Sequence, residues 1–581
     1  MSASRLRLYA PFIALALVQA LVIAVAPSTP KGAADTVALD PVTGEPLPTA
    51  GPDGSTPGTP GATPGATLAP GQPGATLGPG GPTGGPVPTS STGQGTVVVP
   101  GPGGGNTVIR GDVSHCTKDG RQHGVVYQSP PCVPKWTKGQ QNGGATSMGV
   151  TAAEIKIVFF REEKNPVVES LINGEGLSRT TAQENAFNEA AIEFLHKRYE
   201  LYGRKIKYIY YEADCPETPP RKEQCQAAAR EVIRMKPFAV VWPVPIYPDV
   251  FDDFYRAKIV ALGGWHFANP YFNGRRPYRW DNFMDGSQAA DFVSDYYCAK
   301  LVGRKASHSG TTIHSSIGDR GEVTRKLGII IPEHPANVAS AKHVAARVKA
   351  CGGGETPIVT YASDIERAQA QAAANVSALI AAKVTTVICF GEPIAPAFRT
   401  ATMTEQQYFP EHLLAGQGLL DYDKLGRLYD KQQWQHAFGL SHLNASNQAP
   451  FAQSDGPKMW RDVGRDGLPC EACNVPASAW LLLGQMLQQA GPTLTPANVE
   501  RGMFAMGDRG GWRQNRRADI TLATFGQNDY TQISNVREVY WSNTKRSTLD
   551  GRPGTYIPMD GGRRYERGEF DRGLRIPVPV A

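Results

Sequence analysis

The stretch Glu154-Ile155-Lys156-Ile157-Val158-Phe159-Phe160 decides the fold of this chain. It is a short apolar run rich in β-branched and aromatic residues. Gly149-Val150-Thr151 introduces it and the charged Arg161-Glu162-Glu163 follows it. A run of this kind, bounded by turn formers and charges, is typical of a buried β-strand. We take it as the first strand of the folded protein.

Alternating strands and helices follow that strand. The next predicted strands are Lys205–Tyr211, Phe238–Trp242 and Ile259–Leu262. Helices are predicted between them, and the first of these has one apolar face made of Phe187, Ala190, Ala191, Phe194 and Leu195. Strands separated by helices of about ten or more residues predict a parallel sheet with crossover helices.

The same pattern then restarts. Predicted strands at Lys326–Ile331, Pro357–Tyr361, Thr385–Phe390 and Leu413–Ala415 again alternate with amphipathic helices. An Arg-rich, strand-poor tail is expected to end the chain as a salt-bridged surface wrap. The sequence therefore predicts an α/β protein with two doubly wound parallel-sheet lobes.

Composition limits the possible partners. A chain of 581 residues is expected to contain roughly two to four structural units. The net charge of +6 is small for this length, and Lys and Arg are interspersed with Asp and Glu. This balance gives no footprint for nucleic acid or for strong membrane-surface binding.

The N-terminal residues predict export from the cytoplasm. Arg5 and Arg7 precede an apolar segment from Tyr9 to Ala26, which suits either a signal peptide or an uncleaved membrane anchor within residues 1–34. Both alternatives place the rest of the chain outside the cytoplasm, secreted or at the cell surface, with membrane contact only through this segment. Residues 35–105 are rich in Pro, Gly and Thr and are expected to form a disordered linker.

The nine cysteines also favour an oxidising compartment. Cys389 lies in an apolar strand, where a buried thiol is expected. In Cys470-Glu471-Ala472-Cys473, a disulfide is favoured over a redox motif or half of a metal site. Three expected disulfides join cysteines that are close in sequence: Cys116/Cys132, Cys215/Cys225 and Cys470/Cys473. The fourth, Cys298/Cys351, would form only through the fold.

The order of these elements resembles a known family. The Gly-Val-Thr lead-in, the Cys215/Cys225 pair after the second strand, Tyr278-Arg279-Trp280 with Asp285-Gly286, and the second lobe opening at Lys326–Ile331 carry the resemblance. They are similar to type I periplasmic solute-binding proteins of the branched-chain amino acid class. The segment before the first strand, with Pro130-Pro131-Cys132 and Gly143-Gly144-Ala145-Thr146, resembles that of large secreted actinobacterial members.

The resemblance implies a domain organisation and a function. Two lobes joined by hinge crossings would close over a small molecule, which a membrane permease of an ABC transporter would receive. The implied segments are a disulfide-bearing collar, a first part of lobe I, lobe II, a second part of lobe I, and lobe-closing strands with an Arg-rich tail: residues 106–148, 149–285, 286–435, 436–506 and 507–581.

Candidate ligand contacts follow from the rule that ligands lie beyond the carboxyl ends of parallel strands. The rule selects six residues in lobes I and II: Tyr247, Trp265, His266, Glu333, Glu392 and Gln417. Family members that bind amino acids usually carry small hydroxyl residues after the third and fourth strands, where this chain has prolines and an aromatic residue. An acidic residue expected near Gln417 is also missing, which argues against a zwitterionic amino acid. Tyr247 and Trp265 would suit a flat or sugar-like ligand, and Glu392 a cation or a hydroxyl group.

No catalytic or cofactor motif is visible. The chain has no nucleotide-binding glycine loop of the Walker or dinucleotide type, and Ala145-Thr146-Ser147-Met148-Gly149 precedes a strand, unlike a nucleophile elbow. We expect a solute-binding protein without cofactor or metal, and not an enzyme. The alternative is a tethered ligand-sensing or surface-interaction module that keeps the fold without a transporter.

Overall fold

A computed structural model describes residues 95–100, 106–216, 222–241, 248–263, 266–443, 451–467, 470–510 and 521–570. The predicted signal or anchor and most of the predicted linker lie outside these residues. Across the described ranges, no helix is both long and apolar enough to cross a membrane.

A strand lies inside the segment predicted as linker. Strand β1 (Gly95–Pro100) pairs antiparallel with β2 (Asn106–Gly111), and Val98 faces Val108 across the hairpin. The linker was predicted to extend to residue 105 from its average composition. The local run Thr96-Val97-Val98-Val99 is β-branched throughout and favours a strand despite the surrounding Pro and Gly.

Lobe I contains a five-stranded parallel sheet. Its strands are β3 (Glu154–Glu163), β4 (Lys205–Pro216), β5 (Ala239–Val241), β6 (Val260–Leu262) and β7 (Arg279–Trp280). They lie in the order β4-β3-β5-β6-β7. Strand β3, which contains Glu154–Phe160, therefore lies beside the point at which the strand order reverses. Ile157 and Val158 in β3 are fully buried, so the predicted first strand is confirmed.

The helices of lobe I cover both faces of this sheet. The helix Thr181–Arg198 begins with a capping box between Thr180 and Gln183, and its predicted apolar face is confirmed because Phe187 and Phe194 are fully buried. The lobe I helices are Pro166–Asn173, Thr181–Arg198, Lys222–Arg234, Pro248–Arg256, Asn269–Asn273, Asp455–Asp462, Asn474–Gln489 and Pro496–Phe504.

Lobe II begins after the crossing at residues 281–285 and repeats the strand order of lobe I. A small hairpin of β8 (Thr312–His314) and β9 (Gly318–Asp319) precedes the sheet. The parallel strands β10 (Leu327–Pro332), β11 (Ile358–Tyr361), β12 (Thr386–Cys389), β13 (Glu411–Ala415) and β14 (Ala437–Ser441) lie in the order β11-β10-β12-β13-β14. The prediction of two parallel-sheet α/β lobes is therefore confirmed.

The helices of lobe II connect these strands. Asp285 caps the first lobe II helix, Gly286–Lys300, because its side chain accepts hydrogen bonds from the backbone N–H groups of Ser287 and Gln288. They are Gly286–Lys300, Pro335–Ala350, Ala368–Ala381, Ala395–Glu405, Asp423–Gly426 and Lys431–Trp434, with 3-10 turns at Ile365–Arg367, Phe451–Gln453, Glu471–Cys473 and Asp560–Gly562 along both lobes.

The tail corrects two predictions. Strand β14, which follows residue 435, belongs to the sheet of lobe II, and the tail contains more strands than its residue pattern indicated. After the short β15 (Arg509–Gly510) and β16 (Leu522–Ala523), strand β17 (Val536–Arg546) pairs antiparallel with β14 and with β18 (Pro553–Pro558). Strand β19 (Arg564–Tyr565) also pairs with β17.

The physical reason for this error lies in buried charges. Arg537 and Glu538 in β17 are each 1% exposed, and Glu538 pairs with the fully buried Lys300 of lobe II. Buried charges need such partners, which periodicity cannot show. Arg564 is also 1% exposed, so the expected surface wrap is instead part of the lobe II sheet.

Four disulfides are present. The pairs Cys116–Cys132, Cys215–Cys225, Cys298–Cys351 and Cys470–Cys473 have Cα–Cα distances of 5.7, 4.4, 5.9 and 5.3 Å. The pair that only the fold brings together joins the ends of two adjacent lobe II helices. Cys389 is free and buried, as expected for a thiol in an apolar strand.

Candidate functional site

A cavity of ≈ 350 Å³ lies between the two lobes. This is within the usual size of a small-molecule site, roughly 300–1,000 Å³. Apolar side chains form most of its wall, and both lobes contribute them: Val168, Ile172, Leu177, Phe283 and Leu481 from lobe I, and Ile365, Ile394, Leu419, Leu425 and Ile533 from lobe II and the crossings.

Strand ends and a helix of lobe II supply part of the polar wall. Tyr361 is the last residue of β11, Glu392 follows β12, and Arg399 lies on the helix Ala395–Glu405. The hydroxyl of Tyr361 donates to Oε1 of Glu392 at 2.9 Å. Glu392 also accepts from the backbone N–H groups of Ile394 and Ala395, which are orphan donors at the start of that helix.

Arg399 is the cation of this wall. Only 2% of the residue is exposed, and its guanidinium lies 4.6 Å from the centroid of the Tyr361 ring. Its Nε and Nη2 atoms are buried and make no hydrogen bond. Burial alone would lower the pKa of Arg399, but Tyr361, Cys389 and Glu392 outweigh burial and raise it. The site therefore holds a charged group with unused donors.

A helix of lobe I closes the cavity against lobe II. We call Pro166–Asn173 the cover helix; the side chain of Asn165 caps its first turn. Val168 is 4% exposed and packs with Ile365 and Ala368 of lobe II, and Ile172 joins the same apolar cluster. This cluster gives the cover helix an apolar attachment to the opposite lobe.

A set of ion pairs follows the cover helix and also joins the lobes. We call Glu175, Lys424, Arg427, Asp550 and Arg552 the clasp. Glu175 accepts from Nε of Arg427 and Nη2 of Arg552, each at 2.7 Å. Arg427 also pairs with Asp550 at 2.6 Å, and Lys424 donates to the backbone oxygen of Glu175 at 2.8 Å.

The turn of the Cys470–Cys473 disulfide contributes to this closed arrangement. Glu471 lies inside that turn, lines the cavity and forms an ion pair with Lys424. Lys424 therefore links two lobe I segments, the one carrying Glu175 and the one carrying Glu471.

The collar forms another part of the cavity wall. Gln128 lines the cavity, and its Nε2 donates to the backbone oxygen of Thr521 at 3.4 Å. Gln532, which also lines the cavity, donates to Oε1 of Gln128. The backbone oxygen of Gln128 accepts from Gln485 at 3.1 Å, so the collar is fixed to a lobe I helix at this wall.

The structure describes four of the six predicted ligand contacts, and one of them lines the cavity. Glu392 does, while Tyr247 and Trp265 lie outside the described residues. Glu333 is exposed, and Gln417 is 2% exposed but is not part of the lining.

His266 contacts the opposite lobe outside the cavity lining. Its Nε2 accepts from the backbone N–H of Gly418 in lobe II, and its Nδ1 lies 2.9 Å from the backbone oxygen of Met284. These contacts require the neutral ring with the proton on Nδ1. Burial agrees with this, because it lowers the pKa of His266 to about 3. His266 thus joins the lobes beside the crossing and does not line the cavity.

Sequence reasoning missed Tyr361, Arg399 and the cover helix. A signal existed for Tyr361, because it ends a predicted strand and the carboxyl-end rule applies to it. Arg399 is the one cation of the helix Ala395–Glu405, which was a weaker signal. The cover helix gave no signal, since its role depends on contact with the other lobe.

One group of potential metal ligands lies outside the cavity. His115, Cys116 and Cys132 have donor atoms within 4.8 Å of one another. The two sulfur atoms are bonded to each other, so no thiolate is available to a metal there.

No protein-family model and no curated protein matches this sequence. Solved structures do match it. A fatty acid ABC transporter substrate-binding protein from Thermomonospora curvata has 13% identity and a TM-score of 0.49, over 77% of this chain and 99% of that chain. A leucine binding protein from Thermotoga maritima has 12% identity and a TM-score of 0.45, over 70% and 97%. A solute binding protein of an ABC transporter from Rhodopseudomonas palustris, in complex with 3,4-dihydroxybenzoic acid, has 12% identity and a TM-score of 0.46, over 71% and 98%.

Proposed function

We propose that this chain is a solute-binding protein that captures a small molecule in the interlobe cavity. The observation that carries the proposal is the cavity of ≈ 350 Å³ with a mostly apolar wall from both lobes. Concave, largely apolar sites with a few polar groups are the usual form of small-molecule sites. Since both lobes supply the wall, their separation would open the site.

The clasp and the cover helix support a capture mechanism in which the lobes close over the ligand. Both join lobe I to lobe II without belonging to either sheet. A ligand that contacts both lobes stabilises the closed state by its differential affinity for that state. Tyr247, Trp265, His266, Glu333 and Gln417 remain proposals as contacts of an open or differently closed form.

The proposal also assigns a cellular location and a membrane partner. The four disulfides support a location outside the cytoplasm. The proposed partner is the membrane permease of an ABC-type uptake transporter, and the proposed class is the branched-chain amino acid type of large secreted actinobacterial proteins. The alternative is a tethered sensing module with the same fold and no transporter.

A thermal-shift screen of the full chain tests capture. Amino acids, amides, sugars, polyamines and organic acids would be added one by one. A ligand at about one hundred times its Kd adds roughly 2.7 kcal/mol to the free energy of unfolding, which is measurable as a higher Tm. A flat screen with a well-folded protein would argue against capture.

A pair of variants locates the binding event. Ser363 lines the cavity, whereas Ser315 is exposed elsewhere in lobe II. Ser363→Trp should abolish the shift by filling the cavity, and Ser315→Trp should keep it. If both variants lose the thermal shift, or if both keep it, the ligand does not bind in the cavity.

The transporter is tested separately. The ligand-loaded chain should stimulate the ATPase activity of an ABC transporter encoded beside it, reconstituted in vesicles. Ligand binding without such stimulation would favour the sensing module.

A further inference from the structure

We propose that Arg399 is an anion subsite that takes the carboxylate group of a ligand whose remaining body is apolar. This rests on the proposed function, because it assigns the ligand class of the same cavity. The Nε and Nη2 donors of Arg399 have no acceptor in the protein.

Two other buried or partly buried arginines, Arg179 and Arg325, donate to carboxylates, whereas Arg399 does not. Arg179 also lines the cavity, and its Nε donates to Glu184 at 2.6 Å. Arg325, fully buried in lobe II, donates to both carboxylate oxygens of Glu411 at 2.7 Å. Nε and Nη2 of Arg399 have no such acceptor. A buried N–H without an acceptor is costly, so a ligand oxygen at this point would be strongly favoured.

Glu392 does not fill that role. Its two oxygens accept from the Tyr361 hydroxyl and from the N–H groups of Ile394 and Ala395. Glu392 therefore balances the charge of Arg399 from a distance and leaves the guanidinium donors unused. A ligand acceptor that reached these donors would add hydrogen bonds without displacing one to Glu392.

Two other acidic groups of the wall, Asp364 and Glu471, also have protein partners. Asp364 accepts from the backbone N–H of Glu366, and Glu471 pairs with Lys424. These commitments make the carboxylates weak sites for a cationic ligand.

The geometry of Arg399 favours a planar anion. A guanidinium presents its donors in a rigid plane that matches the two oxygens of a carboxylate. The ring of Tyr361, 4.6 Å from the guanidinium, holds that plane in place by a cation–π contact.

The rest of the cavity selects the body of the ligand. Val168, Ile172, Phe283, Leu419 and Leu425 present apolar surface to it. A ligand with one carboxylate and an aliphatic or aromatic body satisfies both the cation and this wall. A polyanion would leave charge against apolar side chains, which is unfavourable.

Matched acids and amides test the subsite on the full wild-type chain. Calorimetry would measure the Kd of octanoate, 3-phenylpropionate and benzoate and of their primary amides at pH 7.5. The acids should bind at least about tenfold more tightly than the amides of the same shape, because hydrogen bonds to charged groups are the stronger ones. Equal binding, or tighter binding of the amides, would overturn the assignment without any variant.

A variant then identifies the residue. Arg399→Met keeps most of the side chain's length and removes its charge, and it should abolish the preference for acids while leaving amide affinity within about twofold. Arg320→Met is the control, since Arg320 belongs to lobe II but does not line the cavity. An acid preference that survives Arg399→Met would overturn the role of Arg399.

The outcomes also separate this inference from the proposed function. Sugars, polyamines or amides that bind in the cavity while the acids do not would overturn the subsite and leave solute capture standing. If no compound of any class binds to the folded chain, both fail.

Discussion

Arg427 of lobe II donates a 2.7 Å hydrogen bond to Glu175 of lobe I, and both side chains are less than 10% exposed. This pair is part of the clasp, and it lies between the cover helix and the hairpin of β17 and β18. On the proposed function, this pair stabilises the closed state and therefore contributes to ligand affinity.

Glu175→Gln should weaken ligand binding. The substitution keeps the size of the side chain but removes its charge from between Arg427 and Arg552. We expect Kd to rise about tenfold, less than for a fully buried pair because the Arg552 side chain is 48% exposed. Calorimetry measures Kd, and small-angle scattering should show a larger radius of gyration at equal ligand concentration. Glu169→Gln, in the cover helix but outside the clasp, should change neither quantity; equal effects of both variants would contradict the clasp.

Val168→Asp should release the cover helix. Val168 is 4% exposed in the contact with lobe II, whereas its neighbour Val167 is 48% exposed. A carboxylate buried in that contact is costly, so the ligand should dissociate at least about tenfold faster by stopped flow. Val167→Asp introduces the same charge one residue away and should leave the rate unchanged. If the two variants dissociate alike, the cover helix does not retain the ligand.

The disulfides should differ in their effect on stability. Cys298–Cys351 spans 53 residues and Cys470–Cys473 spans 3. The chain-entropy model gives about 4 kcal/mol for the first and about 2 kcal/mol for the second. The double variant Cys298→Ser/Cys351→Ser should therefore lower the Tm of the oxidised protein more than Cys470→Ser/Cys473→Ser. The reverse order would show that loop entropy does not control these bonds.

Asp281 should make stability depend on pH. It lies fully buried in the first lobe crossing, and burial raises its pKa to about 7 from an ordinary value of 3.8. The folded state therefore holds a proton that the unfolded state releases. Its contribution is complete below pH 4 and is lost as the pH rises towards 7, with a slope of at most about 1.4 kcal/mol per pH unit.

The variant Asp281→Asn isolates this contribution. Urea unfolding at pH 5, 6, 7 and 8 should show the wild type losing stability relative to the variant up to about pH 7, and a constant difference above it. A constant difference across the whole range would mean that Asp281 does not titrate in this interval.

Local pattern was sufficient for most of the framework. Four of the five parallel strands in each lobe lie where the apolar runs placed them, whereas β7 and β14 were not predicted. The residue pattern indicated few strands in the tail, although the resemblance implied lobe-closing strands there. Glu538 is buried in β17 beside its partner Lys300, which lies far away in sequence. No local pattern shows such a partner.

The site was predictable to a lesser degree. Glu392 lies in the cavity wall, beyond the end of a predicted strand, where the rule for parallel sheets selected it. Arg399 and Val168 were not predicted. Val168 matters through a contact between the lobes, and Arg399 through a missing hydrogen-bond acceptor. Those are properties of the assembled molecule.

The position of β17 and β18 at the far edge of the lobe II sheet also sets an order of assembly during synthesis. A ribosome releases Glu175 long before it releases Asp550 and Arg552, which lie on the turn between these two strands. The growing chain can thus build the sheet of lobe I while its binding cavity is still open. The complete clasp therefore becomes available only after residue 552 has left the exit tunnel.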